Sequence, residues 1–98
     1  MSIKPNPKDE VPKFRLGTIV ATSNAIQAIS PDEIWEAILR HAYGDWGDVG
    51  EEDWQANEEA LQVQSRLLSV YHTAAGVKFY LITEHDRSVT TVLLPDDY

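Results

Sequence analysis

The last third of this 98-residue chain contains Arg66-Leu-Leu-Ser-Val-Tyr-His72, Val77-Lys-Phe-Tyr-Leu-Ile-Thr-Glu84 and Val89-Thr-Thr-Val-Leu-Leu94. Each run is short and rich in β-branched and aromatic residues, and turn-forming residues separate the runs. Gly76 lies in the first connection and can adopt the positive φ that a tight hairpin needs. These runs therefore predict three consecutive antiparallel strands.

Upstream segments predict one more strand and two helices. Residues 14–22, Phe-Arg-Leu-Gly-Thr-Ile-Val-Ala-Thr, alternate in the manner of a strand. Ser30 is a good N-cap, Pro31 suits the first helical position, and Glu33 completes a capping box. This helix is expected to run to about Tyr43, and a second helix is expected to begin with the acids at 51–53.

The order strand, helix, helix, strand, strand, strand predicts an α+β fold. In it an antiparallel meander of three C-terminal strands, joined by a fourth N-terminal strand, is covered by two or three helices. Residues 1–13 contain three prolines and have no periodicity, so they are predicted to be a flexible arm. Residues 14–98 are predicted to form the single domain.

Composition excludes several classes of protein. The chain has no cysteine, which removes disulfides and thiolate metal sites and favours a reducing compartment. No apolar run approaches the roughly 18 residues of a membrane span, and residues 1–10 lack the apolar core of a signal peptide. We therefore expect a cytoplasmic protein with no membrane contact, and the sequence predicts no cofactor.

The net charge of −8 is concentrated in the middle of the chain. Residues 30–60 contain ten acids and a single base, Arg40. Such a surface repels phosphate backbones, so direct binding of DNA or RNA is disfavoured. An acidic helical face is suited instead to a basic protein partner or to mimicry of nucleic acid, or it simply keeps the chain solvated.

Three tryptophans lie in this acidic middle segment. Trp35 and Trp54 occupy helical positions that are predicted to face the core. Trp46 lies in the glycine-rich loop Gly44-Asp-Trp-Gly-Asp-Val-Gly50. Two interpretations of Trp46 remain open, since a loop tryptophan either packs over the helices or anchors a partner as a binding hot spot.

The turn Glu84-His-Asp-Arg-Ser88 has the residue types of a hydrolytic triad. Near neighbours in one turn cannot converge as triad members do, so Asp86 and Ser88 are expected to shape the turn. A nuclease-like alternative uses the catalytic set Arg66, His72, Glu84 and Arg87, with His85 as a further candidate. It requires the hairpin register to bring these side chains together on one sheet face.

A metal site is a third alternative. His41 precedes Asp45 and Asp48 by about one helical turn, a spacing that permits an irregular His/carboxylate site. The acids between residues 45 and 53 do not follow the ligand spacing of an EF-hand loop. The commoner interpretation of this segment is a helix end, a turn and a new helix start, so no metal is predicted.

The loop Gly44-Asp-Trp-Gly-Asp48 and the block Ile82-Thr-Glu-His-Asp-Arg-Ser88, followed by Thr90-Thr91 and Leu93-Leu-Pro95, resemble a family of small bacterial proteins. Members of this family are often carried on plasmids and other mobile elements. The resemblance extends from about Gly17 to Tyr98. It carries no established activity, but it implies that the two loops, 44–48 and 84–88, belong to the pattern of the family and are candidate sites.

The sequence thus favours a small acidic, non-enzymatic protein-interaction domain, accessory to a plasmid or mobile element. The predicted partner is an unidentified basic protein, and a homodimer is a further expectation. The predicted binding residues are Asp45, Trp46, Asp48, Glu51, Glu52 and Asp53. The nuclease-like enzyme remains the alternative.

Overall fold

The computed structural model describes residues 11–98. In chain order the elements are β1 (Thr18–Ala21), α1 (Ser23–Ala28), α2 (Pro31–Ala42), α3 (Glu51–Val63), β2 (Leu67–His72), β3 (Lys78–Thr83), β4 (Val89–Leu93) and a 3₁₀ turn (Pro95–Asp97). The α+β architecture and the β-α-α-β-β-β layout predicted from the sequence are confirmed, with α1 as the third and shortest helix.

The four strands form one sheet in the order β1-β4-β3-β2. β2, β3 and β4 are the predicted antiparallel meander. β1 lies at the edge and runs parallel to β4, with Val20 opposite Thr91. It is shorter than the predicted strand because Gly17 has a φ of +67°, which bends the chain before Thr18.

Side-chain caps fix where the helices begin. Ser30 Oγ accepts the backbone N–H of Glu33 at 3.2 Å, and Pro31 occupies the first helical position, as the sequence predicts. The Glu33 carboxylate accepts the hydroxyl of Ser30 and the backbone N–H of Ala74, so it joins α2 to the β2–β3 hairpin. Thr22 caps α1 by accepting the N–H of Ala25.

The helices cover one face of the sheet. The main core lies between α1, α2 and the meander and contains the buried residues Ala25, Ile29, Ala37, Ile38, Tyr71, Phe79, Leu81 and Val92. A smaller cluster under α3 contains Trp46, Ala60 and Leu67. Burial of this apolar surface, at about 25 cal/mol per Å², is the main force that holds the helical layer on the sheet.

The edge of the sheet at β2 is covered. The Asn57 side chain donates to the carbonyl of Leu68 at 2.7 Å and accepts its N–H at 3.1 Å. Next along the strand, the N–H of Val70 donates to the carbonyl of Trp46, and the N–H of Asp48 donates to the carbonyl of Val70. The Gly44–Gly50 loop therefore pairs with β2 through a parallel bridge between Gly47 and Val70.

The predicted N-terminal arm, residues 1–13, falls almost wholly outside the described residues. Within the described part, the backbone N–H of Lys13 donates to the carbonyl of Ala42 at 2.8 Å. Among residues 11–98, no helix has the length and apolar character needed to cross a membrane.

Candidate functional site

The predicted catalytic set begins with an ion pair on the sheet face that the helices leave uncovered. Arg66 Nη2 lies 3.4 Å from Glu84 Oε2, and both side chains are partly exposed. Arg66 also donates to the hydroxyl of Tyr98 at 3.3 Å. In this position the guanidinium is neutralised by a carboxylate and contacts the C-terminal residue.

His72 shares this face but lies at the other end of the hairpin. The register places His72 opposite Lys78 and Leu67 opposite Thr83. His72 lies six positions after Arg66 along β2, a distance of about 20 Å at 3.4 Å per residue. His72 Nδ1 lies instead 3.7 Å from a carboxylate oxygen of Asp48. An acid, a base and a phosphate-binding arginine are therefore not assembled in one place.

Arg87 has a structural role. Its guanidinium donates to the carbonyls of Ser65 at 2.6 Å, Glu84 at 3.0 Å and Ala60 at 3.0 Å. These bonds satisfy carbonyl groups at the C-terminal end of α3 and in the turn before β4. Because both terminal nitrogens of Arg87 donate to backbone carbonyls, this side chain does not fit the catalytic role of the nuclease-like alternative.

Asp86 and Ser88 shape the β3–β4 turn, as the sequence predicts. Asp86 Oδ1 accepts the backbone N–H of Ser88 at 3.0 Å and its hydroxyl at 2.6 Å. These bonds hold the pKa of the Asp86 carboxyl below its usual range. Both groups are committed to the turn, so they form no triad with His85.

Asp45 is held by its own loop. Its carboxylate forms an ion pair with Arg40 at 2.7 Å, which lowers the pKa of Asp45, and it also accepts the N–H of Gly47. The hydroxyl of Tyr71 donates to the carbonyl of Asp45 at 2.6 Å. Asp45 therefore fixes the loop against β2. Because Arg40 and Gly47 already use its carboxylate, Asp45 is a weaker candidate for contact with a partner protein than the sequence suggested.

Trp46 is fully buried, so the partner-anchor interpretation is wrong. Its ring stacks on Phe14 with centroids 6.1 Å apart and meets His41 edge-on at 5.6 Å. The indole N–H donates to Glu58 at 2.8 Å. The side chain fills the smaller core under α3 and presents no surface to another molecule.

The structure does not place His41 as the metal alternative requires. His41 is fully buried, and its Nδ1 and Nε2 bind Ser69 Oγ and Thr83 Oγ1, the latter at 2.8 Å. Neither ring nitrogen is free to coordinate a metal, and neither Asp45 nor Asp48 lies on this network. Within residues 11–98 no three His, Asp or Glu side chains are grouped as metal ligands.

The hydrogen bonds around His41 fix its tautomer. Thr90 Oγ1 donates its one proton to the carbonyl of Leu16 at 2.7 Å, so it must accept from Thr83 Oγ1 at 2.7 Å. Thr83 must in turn accept from His41 Nε2–H, which leaves Nδ1 to accept from Ser69. This neutral ring cannot gain a proton without disrupting the chain of bonds, and burial lowers its pKa to about 3.

Four of the predicted binding acids remain exposed: Asp48, Glu51, Glu52 and Asp53. The last three form the first turn of α3, where they complement the helix dipole. Within residues 11–98 these three have no cation within salt-bridge distance, and Asp48 has only His72. Among the described residues, therefore, no cation compensates the charge of the acids at 51–53.

A shallow groove of about 220 Å³ lies beside Asp48 at the β2 edge. Arg40, Asp48, Tyr71 and His72 line it. A smaller neighbouring groove shares Arg40, Tyr71 and His72 and is lined also by Glu36 of α2. The two grooves extend from Glu36 to Asp48, three residues before α3 begins. We call the set Glu36, Asp48, Glu51, Glu52 and Asp53 the acidic surface.

Two tryptophans are more exposed than the sequence predicts. Trp35 is 57% exposed and Trp54 is 36% exposed, so the expectation that both face the core is wrong. Trp35 falls beside Asp32 and Glu36 on the helix, at the margin of the apolar stripe that contains Ile34 and Ile38. These two neighbouring acids are the feature of the sequence that could have indicated the exposure of Trp35.

Comparisons of this chain with protein-family models, with curated proteins and with solved structures found no match. The resemblance carried by the 44–48 and 84–88 loops stays a prediction.

Proposed function

We propose that this domain is a non-enzymatic protein-interaction module that binds a basic segment of a partner protein through the acidic surface. The observation that carries the proposal is a set of exposed carboxylates at the start of α3 that no described cation neutralises. A structural acid is normally paired or capping, as Asp45, Asp86 and Asp97 are here. Unpaired acids on one side of a domain favour association with a positively charged partner.

The geometry supports binding over catalysis. The acidic surface borders a groove that is open and shallow, and the polar groups inside it pair with one another. Trp54 lies directly after the acids and is one-third exposed, which gives a basic segment an aromatic surface to contact. By contrast, the nuclease-like set is dispersed: Arg66 and His72 lie about 20 Å apart along β2, and the Arg87 guanidinium binds backbone carbonyls.

The test compares proteins captured by the tagged full-length chain and by two charge-reversal variants. The first variant carries Glu51→Lys, Glu52→Lys and Asp53→Lys. The second, a matched control, carries Asp32→Lys, Glu59→Lys and Asp96→Lys, which changes the net charge equally at scattered exposed positions. Bacterial extracts are the source of partners, because the resemblance is to bacterial proteins of mobile elements.

We expect the first variant to capture at least about tenfold less of a basic protein than the wild type does, because three attractive charges become repulsive. The control should capture the same amount as the wild type. That protein should also dissociate as salt rises above physiological strength, since exposed charges are screened. Equal recovery by the first variant and the wild type would rule out the acidic surface as the contact.

A further inference from the structure

Among residues 11–98, some backbone N–H and C=O groups of the edge strand β1 have no backbone hydrogen-bond partner. The N–H groups of Thr18 and Thr22 donate to Ser88 and Val92 on the β4 side, so even-numbered residues of β1 pair inward. The N–H and C=O groups of Ile19 and Ala21 therefore point away from the sheet. Within residues 11–98 no backbone group pairs with them.

The two edges of the sheet are treated differently. At β2, the side chain of Asn57 and the loop residues Trp46 and Asp48 satisfy the outward groups of Leu68 and Val70. β1 has no such cover among the described residues, and it contains no charge, proline or bulge that would block a neighbouring strand. Ile19 is 39% exposed and Val20 is 42% exposed.

We propose that β1 pairs antiparallel with β1 of a second copy of the chain, so that two four-stranded sheets become continuous. If Val20 lies opposite Val20 of the second copy, Ile19 of each copy lies opposite Ala21 of the other. Both outward-facing residues of each strand are then hydrogen-bonded to the second copy. The pair is isologous and closes on itself, as most small homodimers do.

Charge at the two ends of β1 supports the antiparallel direction. Arg15, exposed, precedes the strand. Beyond its other end, Asp97 accepts hydrogen bonds from Thr22 at 2.7 Å and Asn24 at 2.7 Å. In the antiparallel arrangement, the end of β1 that Arg15 precedes lies beside the end of the other β1 that Asn24 and Asp97 flank. A positive end therefore meets a negative end twice.

Exposed apolar side chains at this edge would be covered by the same contact. Ile26, which lies within the short helix α1 that follows β1, is 61% exposed. Ile19 and Val20 are consecutive strand residues and therefore point to opposite faces of the sheet, so each face has one exposed apolar side chain at this edge. The dimer contact is distinct from the acidic surface and does not depend on the function proposed for it.

The first test is sedimentation of the full-length chain from about 10 μM to about 1 mM, a range that covers weak dimers. We expect the average sedimenting mass to rise with concentration from that of a monomer to that of a dimer. Val20→Lys places two ammonium groups opposite each other and should weaken dimerisation at least about tenfold. Val20→Thr, the matched control, keeps a β-branched side chain and should still dimerise.

The second test is amide hydrogen exchange of the wild type, which does not depend on any variant folding. We expect the N–H groups of Ile19 and Ala21 to gain protection as concentration rises, while that of Val20 is protected throughout by β4. A monomer at about 1 mM whose Ile19 and Ala21 amides exchange freely overturns the proposal. Protection of these amides in a monomer also overturns it, because the chain then covers its own edge.

Discussion

The role of His41 in the structure differs from the role that its position in the sequence suggests. One turn before a run of acids, it has the spacing of a metal ligand. In the fold it links α2 to β2 and β3 through Ser69 and Thr83, which are distant in sequence. No local pattern reveals such partners, because they meet only when the hairpin register is set.

Replacing His41 should destabilise the domain. His41→Ala leaves Ser69 and Thr83 buried without their partner and creates a cavity beside Trp46. We expect a loss of about 3 kcal/mol in the free energy of unfolding, measured by urea denaturation. His85 is exposed in the β3–β4 turn, so His85→Ala is the control and should change stability by less than about 0.5 kcal/mol. Similar effects of the two changes would contradict the buried network.

The pKa of His41 makes stability depend on pH. Burial lowers this pKa from 6.5 to about 3 in the folded state. Below pH 6.5 the unfolded chain therefore binds a proton that the folded chain does not, and stability falls as pH falls.

Between pH 6.5 and pH 5 we expect the free energy of unfolding to decrease by about 1.5 kcal/mol. Carboxylates titrate mostly below this range, so urea titrations at the two pH values report mainly on histidines. Of the three histidines only His41 is buried. Unchanged stability between the two pH values would show that His41 is not buried in its neutral form.

At the scale of elements, local sequence was sufficient for most of the fold. The three C-terminal strands, the Ser30–Pro31 helix start and the turn bonds of Asp86 and Ser88 all depend on residues close in the chain. The parallel pairing of β1 with β4 could not be predicted, because it joins residues about 70 positions apart. The burial of Trp46 and exposure of Trp35 likewise depend on how the helices lie on the sheet.

Asn57 closes the β2 edge, and its replacement should open it. Asn57→Ala leaves the N–H and carbonyl of Leu68 without partners, at an expected cost of about 2 kcal/mol in unfolding free energy. The amide of Leu68 should exchange faster in the variant. Gln55→Ala, on the outward face of the same helix, is the control and should leave Leu68 protected. Unchanged exchange in Asn57→Ala would contradict the role of the side chain.

Gly47 is required where the loop meets β2. Its φ is +77°, and an added Cβ would lie 2.1 Å from the carbonyl oxygen of Val70. Gly47→Ala should therefore cost at least about 2 kcal/mol, from backbone strain and from separation of the loop from the strand. Gly50→Ala is the control, since open space surrounds that position and its φ is −68°. Equal thermal unfolding temperatures for the two variants would contradict this account.

At the scale of the whole molecule, the net charge of −8 is carried mainly by the helical side of the domain. The charge and its position along the chain were readable from the sequence. The sequence could not show which acids are used by the fold, because Asp45 pairs with Arg40 while the acids at 51–53 have no cationic partner among residues 11–98. The candidate site is therefore narrower than predicted: it excludes Trp46 and relies less on Asp45.

The most direct test of the interaction function is photo-crosslinking in living bacteria, with a photoreactive residue replacing Glu52 in the acidic surface. The same residue replacing Thr91, on the uncovered sheet face, is the comparison. We predict that position 52 forms a covalent adduct with a basic protein and that position 91 does not. A result in which position 52 yields no adduct, or in which both positions capture the same proteins, would contradict the proposal that the acidic surface binds a partner.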